Sequence, residues 1–432
     1  MAALLAPKDR KSLIWHGIQG TVSDSAKALL ILLMVGALAG TWMASGIIPT
    51  LIVYGLKLLT PKTFLLAAAV LSSAVSLATG SSWSTSATVG IALMGIGQSL
   101  GLAPGWIAGA VISGAYFGDK MSPVSDTTNI AATMAGAELM DHIRHMVWTS
   151  GPAMLIALIV FGFMGLSAHD GGDLSQVAVI TDLLEAKFTI SPWLLLVPVA
   201  SIALIVLKLD ALASMALGTL AGAIAANLLQ PHIIAEIAGH SGPSAWYEGS
   251  MQAMYGSTQI AIDHPMLSEL LKGKGMAGMI GTVWLILCAL TFGGIMDAAG
   301  FLATLTQGLL RIARGTFGLI SSTLASSLML NITASDQYLA IVVPGRMFKK
   351  AYEERGLKPE NLSRALEDSG TVTSALVPWN TCGAYQSSVL GVATGEYFIY
   401  AIFNWMSPLV SLVLAATGWK VTKIASDAST KP

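Results

Sequence analysis

No aspartate, glutamate, lysine or arginine occurs anywhere from Thr63 to Gly118. A run of that length cannot be the surface of a soluble domain, where about a quarter of all residues are charged. A spanning helix needs about 20 mostly apolar residues to cross roughly 30 Å of hydrocarbon. Ala28–Leu56, His145–His169, Phe188–Leu207, Ala211–Ala235, Gly275–Met296, Gly315–Ser335 and Tyr397–Trp419 are also free of charge. Lipid offers no hydrogen bonds, so each backbone group is satisfied within its own segment and the runs are helices, not strands. Only 11% of the 432 residues are charged and 54% are hydrophobic. The pattern predicts roughly ten or eleven crossings or part-crossings and argues against a large soluble helical enzyme.

The net charge of −1 gives no reason to expect a nucleic-acid partner. Cys288 and Cys382 fall in or beside apolar segments, so neither a structural disulfide nor a metal site is expected. The basic group Lys8, Asp9, Arg10 and Lys11 has no apolar core behind it and is no signal peptide. Positive charge places this end, and the tail with Lys420 and Lys423, in the cytoplasm. The loop with Asp170, Asp173, Asp182 and Glu185 is the candidate outside loop. No phosphate-binding Gly-Lys-Ser/Thr loop occurs, so transport would be driven by gradients. A channel or an intramembrane enzyme is the other class to consider, although the His-Glu-x-x-His run of a metalloprotease is absent.

The two halves align at an offset of 255 residues over about fifty positions. Gly90 meets Gly345, Gly101-Leu102-Ala103-Pro104 meets Gly356-Leu357-Lys358-Pro359, Pro123 meets Pro378, and Trp83 meets Tyr338. Upstream, Gly40, Gly46 and Leu51 meet Gly294, Gly300 and Leu305 at an offset of 254. Duplicated halves, usually of opposite orientation, are how many secondary transporters are built. The second half begins with two apolar runs, Ile190–Leu207 and Ala211–Leu229, where the first has only the polar stretch Met1–Ala26.

Polar residues at membrane depth are expensive, so four islands stand out as functional candidates. The first is Gly118-Asp119-Lys120-Met121-Ser122-Pro123-Val124-Ser125-Asp126-Thr127-Thr128-Asn129. Pro123 interrupts helical hydrogen bonding and frees carbonyls, while Asp126, Asp119, Ser125, Thr127, Thr128 and Asn129 add side-chain oxygens. Oxygen ligands, one negative charge and unwound backbone suit a small hard cation such as sodium. A loop with an N-cap at Ser125 or Asp126 is the plainer alternative. The second island runs from Asp368 to Gly383, and its Asn380 and Thr381 meet Ser125 and Asp126, so one mate of the pair carries the acid. The third and fourth, Thr79–Ser86 and Asn331–Gln337, pair Ser81 with Asp336. They suit re-entrant hairpin tips, with Ser81, Ser82, Ser84, Thr333, Ser335 and Asp336 as substrate-facing candidates; small-residue helix packing is the alternative. The seven histidines lie near expected segment ends, and Lys349, Lys350, Arg355, Lys358 and Arg364 form a basic, amphipathic connector, expected to be an interfacial orientation signal.

At Gly114-Ala115-Tyr116-Phe117 followed by Gly118–Asn129, the chain resembles the NhaC-type sodium/proton antiporter family. Weaker similarity continues at Ala37-Leu38-Ala39-Gly40-Thr41-Trp42 and at Leu376-Val377-Pro378-Trp379-Asn380-Thr381-Cys382-Gly383. The short N-terminus departs from it, because family members look to carry two more helices before this point. The resemblance implies an ion transporter of inverted repeats with re-entrant hairpins, and a superfamily that also exchanges malate for lactate with sodium and protons. Expected, then, is an all-α polytopic membrane protein with about 10–11 transmembrane helices, inverted repeats, re-entrant hairpins and broken helices. Residues 1–26 would be an interfacial N-terminal segment, 27–165 the first repeat and 166–191 a loop. Two extra helices at 192–230, a polar loop at 231–274, the second repeat at 275–419 and a tail at 420–432 complete the plan. Sodium and protons would compete for one embedded carboxylate, Asp126 with Asp119, with Lys120 as counter-charge to Asp119. The resemblance adds a multi-pass place in a bacterial inner membrane, the lipid bilayer as partner, a homodimer as a possible assembly, and no cofactor.

Overall fold

The computed structural model describes residues 8–167 and 174–424. Asp170 and Asp173 of the expected outside loop lie outside the described residues. Helix α1 (Lys8–Asp24) leads into α2 (Ala26–Ala44), and the chain turns at Gly46, whose φ is +78°, into α3 (Ile47–Leu58). Helix α4 (Pro61–Thr79) ends at Gly80, and the chain returns through α5 (Ser82–Thr85), a π-helical turn (Ser86–Gly90) and α6 (Ile91–Ser99). Helix α7 (Pro104–Met121) breaks at Ser122–Ser125 before α8 (Asp126–Ala135), and α9 (Leu139–Ser167) closes the half. The second half repeats this order. Its elements are α16 (Ile280–Ala298), α17 (Phe301–Ile312), α18 (Gly315–Thr333), α19 (Gln337–Glu354), α20 (Pro359–Leu366), α21 (Thr381–Leu390), α22 (Thr394–Tyr397) and α23 (Ile402–Thr417). Between α20 and α21 the helix distorts through a π turn (Glu367–Thr371) and a 3-10 turn (Val372–Leu376).

The linking region holds α10 (Leu174–Lys187), α11 (Leu196–Val206), α12 (Ala211–Leu229) and the shorter α13 (Pro231–Ala238), α14 (Ala245–Tyr255) and α15 (Pro265–Leu270). A small antiparallel pair, β1 (Thr258–Gln259) and β2 (Lys272–Gly273), lies there too. The stretch at 231–274 is therefore largely structured. Helix α1 packs on α16, with Gly17 against the Gly294 carbonyl and the Thr21 hydroxyl 3.1 Å from the Leu290 carbonyl.

Six stretches among the described residues, 12–44, 61–79, 139–167, 211–229, 277–298 and 315–333, are long and apolar enough to cross a membrane; a pair bent by 93°, 177–187 with 192–206, would make a seventh. The ten or eleven crossings or part-crossings expected from the sequence include runs that the fold cuts short, among them α3, α17 and α23. All of this is the fold of an all-α polytopic membrane protein.

What brings the halves into register is a shared backbone plan. Gly46 and Gly300 turn with φ of +78° and +77°, Gly101 and Gly356 with +79° and +64°, and Gly136 and Gly391 with +78° and +71°. At the two tips, Gly80 and its mate Ser335 both take left-handed backbone, at +66° and +62°. Helix α4 lies against α7 along a glycine face, where a Cβ on Gly114 would meet the Ala69 carbonyl at 2.2 Å and one on Gly118 the Ser73 carbonyl at 2.3 Å. Small residues let helix backbones approach closely where lipid supplies no hydrophobic drive.

Candidate ion-binding site

Each tip docks onto the broken helix of its own half. In the first, the hydroxyl of Ser122 donates to the Leu77 carbonyl at 2.8 Å and that of Ser76 to the Ala115 carbonyl at 2.6 Å. In the second, the Trp379 indole donates to the Ile332 carbonyl at 2.8 Å and the Asn331 amide to the Gly370 carbonyl at 2.7 Å. The register of 255 carries Ser76 and Ala115 onto Asn331 and Gly370, and Leu77 onto Ile332. A Cβ on Gly80 would sit 2.6 Å from the Val124 side chain and 2.9 Å from the Ser125 amide, besides straining a left-handed backbone. Gly80→Ala is therefore expected to cost about 1–2 kcal/mol from backbone strain alone. Denaturant unfolding of the purified protein checks this, and an unchanged midpoint would count against the docking.

Every helix that starts at these breaks is capped by a polar side chain. Ser81 accepts from the Ser84 amide at 3.1 Å, Ser125 from Thr128 at 3.5 Å, Asp336 from Leu339 at 3.0 Å and Asn380 from Cys382 at 3.0 Å. The cap anticipated at Ser125 is present. It does not remove the site, because the buried acid stands elsewhere.

That acid is Asp119, only 7% exposed, near the end of α7. One carboxylate oxygen accepts from the Ser82 amide at 3.0 Å and the Ser82 hydroxyl at 2.7 Å, and the Ser125 hydroxyl lies beside the same group. The register turns Ser82 and Asp119 into Gln337 and Ser374, and these two are again in contact, hydroxyl to amide oxygen at 3.3 Å. The same two register positions thus meet in both halves, with the donor reversed and Asp119 replaced by a neutral serine; the acid at the second tip, Asp336, is instead engaged as the cap of α19.

The remaining candidates divide between wall and mouth. Thr127 is buried with its hydroxyl 3.1 Å from that of Ser125, and Thr128 donates to the Lys120 carbonyl at 3.1 Å. Asn129 is exposed and donates to the Pro123 and Ser125 carbonyls at 3.1 and 2.7 Å. Asp126 opens α8 and is exposed. Asn380 donates to the Asn331 carbonyl and side-chain oxygen, both at 3.1 Å, and the Thr381 amide donates to the Ser335 carbonyl at 3.0 Å. Ser84 is buried with its hydroxyl unpartnered among the described residues, while Thr333 donates back into its own helix, to Met329 at 2.9 Å. Across the two halves, Trp83 and Tyr385 stack with centroids 3.9 Å apart, and the Tyr385 hydroxyl donates to the Trp83 carbonyl at 2.9 Å.

Lys120 corrects the sequence reading. Its ammonium does not counter-charge Asp119; it pairs with Asp368, both fully buried, and also donates to the Ser407 hydroxyl at 3.0 Å. The hydroxyls of Thr149 and Ser407 donate to the same Asp368 oxygen at 2.9 and 3.0 Å. Arg364, expected on an interfacial connector, is fully buried, with one guanidinium nitrogen 3.0 Å from the Lys420 carbonyl. His142 and His145 are also buried, His142 against the Ser363 hydroxyl at 2.7 Å. Their position near a segment end hides this in the sequence, since α9 is long enough to carry its first turns inside the protein.

The Na+/H+ antiporter family matches residues 114–419. The Na+/H+ antiporter NhaC of Alkalihalophilus pseudofirmus is 34% identical over 96% of this chain and 88% of its own length. The malate-2H+/Na+-lactate antiporter of Bacillus subtilis is 36% identical over 93% and 81%. The arginine/ornithine antiporter ArcD of Halobacterium salinarum is 34% identical over 94% and 82%. A match over more than half of the sequence, with relatives a third identical along nearly all of it, makes the chain a multi-pass membrane transporter, not an enzyme, and a member of the Na+/H+ antiporter family.

Proposed function

We propose that the protein exchanges sodium for protons at the Asp119 carboxylate, which binds one or the other. The observation that carries this reading is the hold of the first hairpin tip on Asp119 through the Ser82 amide and hydroxyl, where the equivalent pair of the second half, Gln337 and Ser374, meets without a charge. Sodium would take the carboxylate with hydroxyl oxygens from Ser82, Ser125 and Thr127, a ligand set suited to a hard cation. A proton would discharge the same group and leave its neighbours to hydrogen-bond one another. Asp126 lies at the mouth as an exposed charge that attracts cations. Ser81, Ser84, Asn380, Thr381 and Asp336 fix the tips and half-helices, and rocking of these against the rest would alternate access.

Exchange of an organic acid is the second reading, because one relative carries malate and lactate in its name. An anion would need backbone N–H donors or a cation near the tips. Lys120 is neutralised by Asp368, and Arg364 lies in α20 and not at a tip, whereas the first tip presents the Asp119 carboxylate. A carboxylate held at the tip favours a cationic cargo.

Competition has a quantitative signature. If one carboxylate serves both ions, the sodium half-saturation rises about tenfold for each unit that pH falls below the carboxyl's own titration, since each unit removes about nine-tenths of the remaining anion. Sodium-driven proton movement into liposomes carrying a pH dye, without organic acid, measures it. A half-saturation indifferent to pH would sink the single-carboxylate scheme. Movement only after adding malate, lactate, arginine or ornithine would favour an organic cargo.

A further inference from the structure

We propose that Glu367 carries a second proton in each exchange cycle, at a site separate from the sodium-binding acid. The inference rests on the antiport reading. Glu367 opens the π turn that interrupts the helix after α20, and such turns recur at functional sites in otherwise regular helices. It is fully buried, neither carboxyl oxygen is held by a well-formed hydrogen bond among the described residues, and the one donor beside it is the neutral Thr371 hydroxyl of the same turn. Its neighbour Asp368 shows the contrast, with one oxygen held by Lys120, Thr149 and Ser407.

A charged carboxylate buried without strong donors is far more costly than the neutral acid, which leaves only a hydroxyl and a carbonyl under-satisfied. The geometry around Glu367 is that of a carboxylic acid. The charges around it decide whether it can discharge. Asp119 and Lys120 of α7 and its own neighbour Asp368 act on it directly; α8 carries the exposed Asp126, and α9 the buried His142 and His145. Its own segment carries Arg364 and Asp368, and α19 brings Asp336, Tyr338 and the buried Tyr352, with Arg346, Lys349 and Lys350 further along. The faces of α18 and α23 offer neutral groups, including Ser326, Ser327, Asn404, Ser407 and Ser411. Lys120 is already neutralised. Arg364, one helical turn before Glu367, is buried with Nε and one terminal nitrogen unpartnered. It is the cation that can receive the Glu367 anion once the segment moves. Loss of the proton to water on one side, and its recovery from the other, is then tied to movement of the distorted helix, while sodium travels with Asp119.

The step balances as one sodium ion in one direction against two protons in the other, one from Asp119 and one from Glu367, with one net charge moved. Proteoliposomes holding the full chain, with sodium tracer and a potassium–valinomycin clamp, read both quantities. Wild type should show two protons per sodium and a rate that depends on voltage. Glu367→Gln should give one proton per sodium and lose the voltage dependence, with sodium half-saturation changed less than about twofold. An unchanged ratio and voltage dependence in E367Q, or a ratio of one in wild type, overturns the proposal. Infrared spectra supply a readout that needs no transport. Wild type at neutral pH should show a protonated carboxyl stretch that E367Q lacks, and identical spectra would also overturn it. Absence of any sodium-driven proton movement in wild type would instead defeat the antiport reading itself.

Discussion

Asp119→Asn is expected to abolish sodium-driven proton movement, while Asp126→Asn keeps it. The two acids sit seven residues apart, and the fold treats them differently. Asp119 is 7% exposed and held by the Ser82 amide and hydroxyl, whereas Asp126 is exposed at the start of α8. Two unit charges about 4 Å apart are worth about 4 kcal/mol at an effective dielectric of about 20. Removing the charge at Asp119 should weaken sodium about a thousandfold at that value and remove the proton that would replace it. An exposed charge is screened over about 8 Å at physiological salt, so Asp126→Asn should raise the sodium half-saturation a few-fold at low salt and little at high salt. Tracer uptake and pH-dye traces on the two variants separate the cases. Full activity in Asp119→Asn together with silence in Asp126→Asn would reverse the assignment and return the exchanging acid to Asp126.

The architecture is legible in the sequence because the signals that specify it are local. Charge-free runs set the helices, and paired glycines at Gly46 and Gly300, or Gly101 and Gly356, mark turns that need left-handed backbone in both halves. The islands are legible for the same reason: Gly80, Pro123 and Pro378 stand in polar stretches where the helices break, whereas Pro152, Pro344 and Pro408, in apolar surroundings, lie inside helices. Which acid lies inside is not legible. Asp119 and Asp126 share one island, and only the hairpin tip, some forty residues earlier in the chain, decides that Ser82 faces Asp119. Lys120 is a sharper case. Adjacency suggests Asp119 as its partner, but neighbours in a helix project about 100° apart, and i,i+1 side chains do not face each other. Its partner, Asp368, comes from the other half of the chain. Glu367 escapes a reading of the sequence because a lone acid beside an aspartate reads as a solvated pair, and only burial distinguishes it.

The Lys120–Asp368 pair makes the second large prediction. Removing one partner of a buried ion pair strands the other charge and costs about 3–5 kcal/mol, whereas replacing both with apolar groups of similar size is often close to neutral. Lys120→Met and Asp368→Leu should each destabilise by about that amount, and the double variant should recover most of the loss. Unfolding of the purified protein in mild detergent, run as a double-mutant cycle, gives the coupling energy directly. The cycle also tests whose counter-charge Lys120 is. If it served Asp119, then Asp119→Asn would rescue Lys120→Met and Asp368→Leu would not. Rescue by Asp368→Leu alone, with sodium still raising the melting temperature of the double variant, would mean that Lys120 is the counter-charge of Asp368 and not of Asp119. Asp119 would then be free of that ammonium, as the proposed exchange of sodium and a proton on one carboxylate requires.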